Sequence, residues 1–150
     1  MEGDIADREI VSTRVFDAPR ERVWQAFADP KRVVNWWGPD GFTDTLEKME
    51  LRPGGEWKHI MHGPDGTNYP NESVFTEVVE NERIVFHHLG PMHEFTMTMT
   101  YADEGGKTRL TWRMLHGTAE ECAKVRSFAP AAIEQNFDRL AAELAKNPAQ

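Results

Sequence analysis

The chain has 150 residues, and its 17 basic and 25 acidic side chains give a formal net charge of −8 at pH 7. This length favours one domain over residues 1–150, and the acidic balance argues against nucleic acid or an anionic membrane as a partner, because both bind basic patches. A single cysteine, no apolar run near the roughly 18 residues of a membrane span, and an N-terminus without a signal peptide predict a cytoplasmic protein.

The first part of the chain predicts a strand followed by two short helices. Residues 1–7 are polar and are expected to fray, and residues 9–16 alternate in a β-rich composition typical of a strand. Asp17 is the expected N-cap of the first helix, and Asp29-Pro30 gives a second start signal of the same kind. The helices are expected to carry Val23, Trp24 and Phe27, and then Val33, Val34 and Trp36.

The middle of the chain predicts strands joined by short turns. In residues 95–101 large apolar side chains alternate with threonine, so one face of this strand is expected to be buried and the other wet. Because the connections are short, consecutive strands are expected to be antiparallel neighbours in a meander. The predicted strands are residues 42–49, 56–62, 69–80, 83–89, 95–101 and 108–115.

The end of the chain predicts two helices. The segment TAEE at 118–121 is a capping box for a helix over 118–127. Pro130 suits the first turn of a longer helix over 130–146, which Asn147-Pro148 ends. This helix carries an apolar stripe at helical spacing, formed by Ile133, Phe137, Leu140 and Leu144. The fold class is therefore α+β, with one sheet wrapped on one long helix.

Several short segments, spread over nearly the whole chain, carry a family resemblance. They are RVFDAP (14–19), DP (29–30), WWGP (36–39), LRPGGEW (51–57), MHGPDG (61–66), EVV (77–79), RIVF (83–86), FTMTMT (95–100) and LAAEL (140–144). With this order of elements, the chain resembles the START-like helix-grip (SRPBCC) superfamily. More narrowly, it is similar to the bacterial proteins related to the heat-shock protein 90 ATPase activator homologue domain.

The resemblance implies a curved antiparallel sheet of six or seven strands that grips the last helix. A cavity between them would be closed at one end by the two short helices. Superfamily members use that cavity to bind lipids, sterols, polyketides or other hydrophobic molecules, and some catalyse cyclisation or dehydration there. The leading hypothesis is a protein that binds a small hydrophobic or aromatic ligand without a cofactor, as a monomer or homodimer.

Aromatic and methionine side chains are the best candidates for the walls of that cavity. Strand alternation and the helix stripe are expected to bring them together, although a solid core is an equally open explanation for any one of them. The candidate ligand-binding residues are Trp36, Trp57, His59, Met61, Tyr69, His87, Phe95, Met97, Met99, Trp112, Met114, Phe128, Ile133, Phe137 and Leu140.

The histidines do not form a metal-binding pattern. His59 and His62 lie three apart on a predicted strand and His87 is adjacent to His88, so the members of each pair point to opposite faces. If the strand faces that carry His59 and His87 point into the cavity, these two side chains are polar groups suited to hydrogen-bonding a ligand or transferring a proton. The plainer alternative is a hydrogen-bonded histidine in the core or at a strand edge.

Two other functions stay open. The narrower resemblance implies an interaction module or co-chaperone that acts on a heat-shock protein ATPase. The activator proteins also have a separate N-terminal domain, however, for which this chain is expected to be too short. A cyclase- or dehydratase-type enzyme would use His59, His87 or Tyr69 as acid or base.

Overall fold

The computed structural model describes residues 5–90 and 93–146, in which seven strands and five helices are present. Of the helices in this part of the chain, none has the length and apolar character that a membrane span requires. The elements are α1 (Ile5–Arg8), β1 (Glu9–Phe16), α2 (Arg20–Ala28), α3 (Pro30–Val33), β2 (Thr43–Met49), β3 (Glu56–His62), β4 (Asn68–Val79), β5 (Arg83–Gly90), β6 (Phe95–Glu104), β7 (Lys107–His116), α4 (Ala119–Arg126) and α5 (Ala129–Ala145).

The seven strands form one antiparallel sheet in the order β1-β7-β6-β5-β4-β3-β2. Strands β2 to β7 are the predicted meander, and β1 extends the sheet by pairing with β7 from Glu9↔Leu115 to Phe16↔Thr108. The register shifts once between β2 and β3 and twice between β4 and β5, and such bulges bend the strands that contain them. The predicted α+β class, with a curved sheet and a long last helix, is confirmed.

Helix α5 packs on the concave face of the sheet through its predicted stripe. Ile133, Phe137, Leu140 and Leu144 are all buried. The Phe137 ring is fully enclosed and packs edge-on against Phe16, with ring centroids 5.7 Å apart. This contact joins the last helix to the first strand, which itself lies beside the last strand.

The two short helices begin differently from one another. Asp29 caps α3 as predicted, because its carboxylate accepts the Lys31 N–H at 2.9 Å. Asp17, however, does not cap α2: the N-cap is Pro19, and no side chain caps that end. The first turn of α2 is closed by the Pro19 carbonyl, which accepts the N–H groups of Arg22 and Val23. Asp17 therefore lies two residues too early to reach the helix.

The ends of the chain are only partly described. Residues 5–8 form one helical turn where fraying was expected, and Arg8 Nη1 donates to the His116 carbonyl at 3.0 Å. This bond ties α1 to the end of β7. Residues 1–4 and the predicted stop at Asn147-Pro148 lie outside the described residues.

Gly55 allows the close turn that leads into β3. An added Cβ would lie 1.9 Å from the Glu50 carbonyl oxygen, whereas at Gly117 it would meet nothing within 4 Å. We expect Gly55→Ala to lower the free energy of unfolding by about 1–3 kcal/mol or more, because the backbone must move. Gly117→Ala is expected to change it by less than about 0.5 kcal/mol. Urea unfolding followed by tryptophan fluorescence measures both, and equal stabilities of the two variants would contradict the expectation.

Candidate ligand-binding site

A pocket of about 410 Å³ lies between the sheet and the first turns of α5, and we call it the open pocket. Met97 and Met114 from the sheet and Ile133 from α5 form its buried floor. Tyr69 and Phe128 stand at its rim, where Phe128 is 51% exposed. The open pocket is therefore an apolar chamber with an aromatic entrance.

The open pocket ends where the side chain of Trp37 fills the space between sheet and helix. The Trp37 ring lies 5.0 Å from Trp57, 5.2 Å from Trp112 and 5.5 Å from Trp36, measured between centroids. Trp112 in turn packs 4.9 Å from Phe137 of α5. Aromatic pairs at such distances contribute about 0.5–1.5 kcal/mol each beyond burial. The space beyond Trp37 is thus a packed aromatic core, and only the space before it is open.

Two side chains of α5 hold the turn that carries Trp37. Asn136 is buried, its Nδ2 donates to the Trp36 carbonyl at 2.7 Å, and its Oδ1 accepts the Gly38 N–H at 3.3 Å. Gly38 has a φ of +106°, a conformation that glycine adopts without strain. The turn can therefore reverse tightly under the helix while both of its buried polar groups remain hydrogen-bonded.

Arg139 is the second of these side chains. Its guanidinium donates to the carbonyls of Gly38 at 2.9 Å, Pro39 at 3.0 Å and Asn35 at 3.2 Å. Burial lowers the pKa of Arg139, and the nearby charges of Asp40 and Asp44 oppose that effect. Arginine nevertheless stays protonated in proteins, so the side chain acts as a permanent cationic clamp on the turn.

Polar groups of the open pocket lie mainly where its walls meet the rim. The Asn71 side chain donates to the Tyr69 carbonyl at 2.8 Å. His93 hydrogen-bonds Glu121 of α4 and thereby holds the pKa of that carboxyl below its usual range. Among the described residues, no three His, Cys, Asp or Glu side chains form a group that could hold a metal ion. What the pocket offers a ligand is apolar surface with a few hydrogen-bonding groups.

Comparison with protein families decides the classification of this fold. The sequence model of the family described as "Activator of Hsp90 ATPase homolog 1-like protein" matches residues 17–145. The chain belongs to this family. The predicted family is therefore confirmed, and the match spans the elements that build the open pocket. No curated protein matches the chain.

Solved structures of bacterial proteins share the same fold. A Mycobacterium smegmatis protein is 27% identical, with 94% of this chain and 93% of that chain covered and a TM-score of 0.82. A Nitrosomonas europaea protein is 21% identical, with 97% and 99% covered and a TM-score of 0.88. An Arthrobacter aurescens protein is 23% identical, with 97% and 90% covered and a TM-score of 0.87. The helix-grip fold expected for this family member is thus the fold of all three.

The structure of this family member brings part of the predicted site together. Predicted residues that line the open pocket are Met61, Tyr69, Phe95, Met97, Met114, Phe128 and Ile133. Those that lie elsewhere are Trp36, Trp57, His59, His87, Met99, Trp112, Phe137 and Leu140. The second group mostly belongs to the packed aromatic core, where the solid-core explanation applies. That the first group binds a ligand stays a prediction.

Trp36, which was predicted to line the cavity, lies outside the open pocket, and the neighbouring Trp37 lines it instead. Trp36 is 2% exposed and donates its Nε1–H to the Ala26 carbonyl at 2.8 Å, whereas Trp37 reaches the open pocket. Helix α3 ends at Val33, so the directions of the two rings follow from the turn held by α5 and not from helical spacing. Sequence periodicity alone therefore cannot predict which of the two rings reaches the open pocket.

His87 does not face the open pocket, which is a correction. It lies on the outer face of β5, where Nε2 donates to the Glu94 carboxylate at 2.6 Å and Nδ1 lies 3.0 Å from Thr96 Oγ1. His88 points inward and lines the open pocket, 3.3 Å from Ser73 Oγ. The two faces of β5 have similar apolar content, so the sequence does not distinguish them.

His59 is buried without lining the open pocket. Its Nδ1 donates to the Asp44 carboxylate at 2.8 Å, and its ring stacks on Trp57 with centroids 4.3 Å apart. The other Asp44 oxygen, Oδ2, has no hydrogen-bond partner among the described residues. This geometry is that of the hydrogen-bonded core histidine, which was the plainer of the two explanations.

Sequence reasoning missed several residues that line the open pocket. On α5 the missed residues include Ala129 and Ala132, which lie on the same face as Ile133. These small side chains are the sequence feature from which the pocket could have been predicted. Small residues at the start of a stripe that continues with Phe137 leave volume above the sheet. The missed residues are Trp37, Gly38, Pro39, Phe42, Asn71, His88, His93, Val125, Ala129, Ala132 and Asn136.

Asn136 hydrogen-bonds two buried main-chain groups of the turn that carries Trp37. Replacing it with alanine leaves the Trp36 carbonyl and the Gly38 N–H buried without partners, and each such group costs about 1–3 kcal/mol. We expect Asn136→Ala to lower the free energy of unfolding by about 2–4 kcal/mol in urea titrations. Gln135→Ala is the matched control, because among the described residues this neighbouring amide accepts only from the Asp40 N–H on the surface. A loss no larger than the control's would show that Asn136 does not hold the turn.

His116 is a buried histidine at the end of β7. Burial lowers the pKa of this imidazole, the Arg8 main chain and Glu121 oppose that shift, and His93 and Arg126 add to it. The unfolded chain therefore takes up this proton at a higher pH than the folded chain, so stability falls as the pH drops below about 6.5. Between pH of about 7.5 and 5.5, we expect the wild type to lose more free energy of unfolding than His116→Phe. Identical pH slopes in urea titrations would contradict this.

Proposed function

We propose that the protein binds a small hydrophobic or aromatic molecule in the open pocket. The observation that carries this proposal is the pocket itself, an apolar chamber of about 410 Å³ between the sheet and α5. Sites for small molecules are typically apolar clefts of about 300–1,000 Å³ with a few polar groups. The fold and the family support ligand binding or protein interaction in general, and the pocket favours ligand binding.

The size and shape of the open pocket favour a compact ligand over a long acyl chain. Trp37 closes the route into the rest of the sheet–helix space, and α5 holds the turn that carries it. Met97 and Met114 on the floor are flexible, polarizable side chains that adapt to flat rings. A molecule of two or three rings satisfies both conditions.

The alternative functions have less support. Of the three residues considered as acid or base, only Tyr69 lines the open pocket, so we do not propose catalysis. Action on a heat-shock protein ATPase comes from the family description alone and stays a prediction. The 51% exposed ring of Phe128 fits the entrance of a ligand site as well as it fits a protein contact.

A pair of neighbouring alanines on α5 tests ligand binding. Ala132 lines the open pocket, whereas Ala131 is exposed on the same turn. We expect N-phenyl-1-naphthylamine, a neutral hydrophobic probe, to bind the wild type and Ala131→Phe saturably with enhanced fluorescence. Ala132→Phe fills the chamber and is expected to lower the affinity at least about tenfold.

Two outcomes would overturn the proposal. One is the absence of saturable probe binding to the wild type, together with native mass spectra that show no co-purified small molecule. The other is an Ala132→Phe variant that binds the probe as tightly as Ala131→Phe does. Thermal unfolding of both variants checks that they are folded before affinities are compared.

A further inference from the structure

A second, more polar cleft adjoins the open pocket at the paired ends of β6 and β7. Its volume is about 630 Å³, and its lining includes Arg8, Glu94, His116 and Glu121. Phe95 lines both cavities. The Phe95 side chain is therefore a wall between the apolar chamber and the polar cleft.

Histidines stand on both sides of this wall. The ring of His88, which lines the open pocket, is 4.8 Å from the Phe95 ring, and the ring of His116 is 5.6 Å from it. His116 is 1% exposed, and neither of its ring nitrogens has a hydrogen-bond partner among the described residues. Leaving a buried polar group unpaired is unfavourable. A bound molecule that hydrogen-bonds the His116 ring would remove this cost.

The protonation state of His116 defines which partner would fit. Burial lowers the pKa of the imidazole, and the Arg8 main chain raises it only in part, without the geometry of a hydrogen bond. The ring is therefore neutral near pH 7, with one nitrogen that donates and one that accepts. A hydroxyl group both donates and accepts, so it can pair with either nitrogen.

The charges of the cleft disfavour an anion at this place. Glu94 and Glu121 both line the cleft, where they pair with His87 and His93. Among the described residues that line the cleft, Arg8 is the only arginine or lysine, and it already donates to the His116 carbonyl. A carboxylate or phosphate would be repelled by the two glutamates, whereas a neutral hydroxyl group would not.

We propose that the ligand of the open pocket carries a hydroxyl group and that His116 hydrogen-bonds this group when the Phe95 ring turns aside. The ligand is then a neutral hydrophobic alcohol or phenol. Phe95 is half-buried at the first residue of β6, and the adjoining cleft gives its ring room to turn. This inference rests on the proposed function and adds the chemical class of the ligand and the residue that selects it.

Two probes of the same shape test the inference, namely 2-naphthol and 2-methylnaphthalene, in which a methyl group replaces the hydroxyl. Dissociation constants come from NMR titrations of the wild type, His116→Phe and His62→Phe. We expect the wild type to prefer 2-naphthol by about tenfold, the effect of one added hydrogen bond to a buried polar group. His116→Phe is expected to lose this preference while its affinity for 2-methylnaphthalene stays within about twofold.

His62→Phe is the matched control. His62 lies at the end of β3, where it hydrogen-bonds Thr45 and Asn68 and does not line the open pocket. This variant is expected to keep the wild-type preference. A loss of preference in both variants would overturn the role of His116, because it would arise from a general loosening of the sheet.

If His116→Phe does not fold, a measurement on the wild type tests whether His116 hydrogen-bonds the hydroxyl group. With ¹⁵N-labelled histidine, the ring nitrogens of His116 are expected to shift on addition of 2-naphthol and to stay in place with 2-methylnaphthalene. Equal affinities for the two probes with no such shift would overturn this inference and leave the proposed function standing. If neither probe binds the wild type, the inference fails together with the function on which it rests.

Discussion

The contact of Trp37 with both Trp57 and Trp112 determines how much of the sheet–helix space is open. The rings lie 5.0 and 5.2 Å from Trp37, and Trp112 continues the contact to Phe137 on α5. Moving the Trp37 ring would break its contacts with Trp57 and Trp112, so the ring is a fixed boundary of the open pocket. The open pocket, its size and its compact ligand all depend on this boundary.

Helix α5 contributes residues on both sides of Trp37, to the open pocket and to the packed aromatic core. Its first turns carry the small residues Ala129 and Ala132, which leave room above Met97 and Met114. Its middle carries Phe137, which fills the space against the sheet, and Arg139, which clamps the turn behind Trp37. One helix therefore lines the open pocket and also supports Trp37, which closes it, and a change in the register of the helix would alter both.

Most of the fold could be predicted because its signals are local. Alternation placed the strands within a few residues of their ends, and the Asp29 and Thr118 caps were correct because each depends on residues two or three positions away. The site was only partly predictable. Met97, Met114 and Ile133 follow from strand and helix periodicity, but the roles of Trp37 and His88 depend on how the turn meets α5 and which face of β5 packs inward. Those are long-range contacts, which periodicity does not encode.

The most direct test of the divided space uses two methionines on one strand. Met97 lines the open pocket, whereas Met99 is 1% exposed and lies outside it. With N-phenyl-1-naphthylamine bound, nuclear Overhauser contacts from the probe to the Met97 methyl group and none to the Met99 methyl group are predicted. Contacts to the Met99 methyl group would contradict the division, because they would place the probe outside the open pocket.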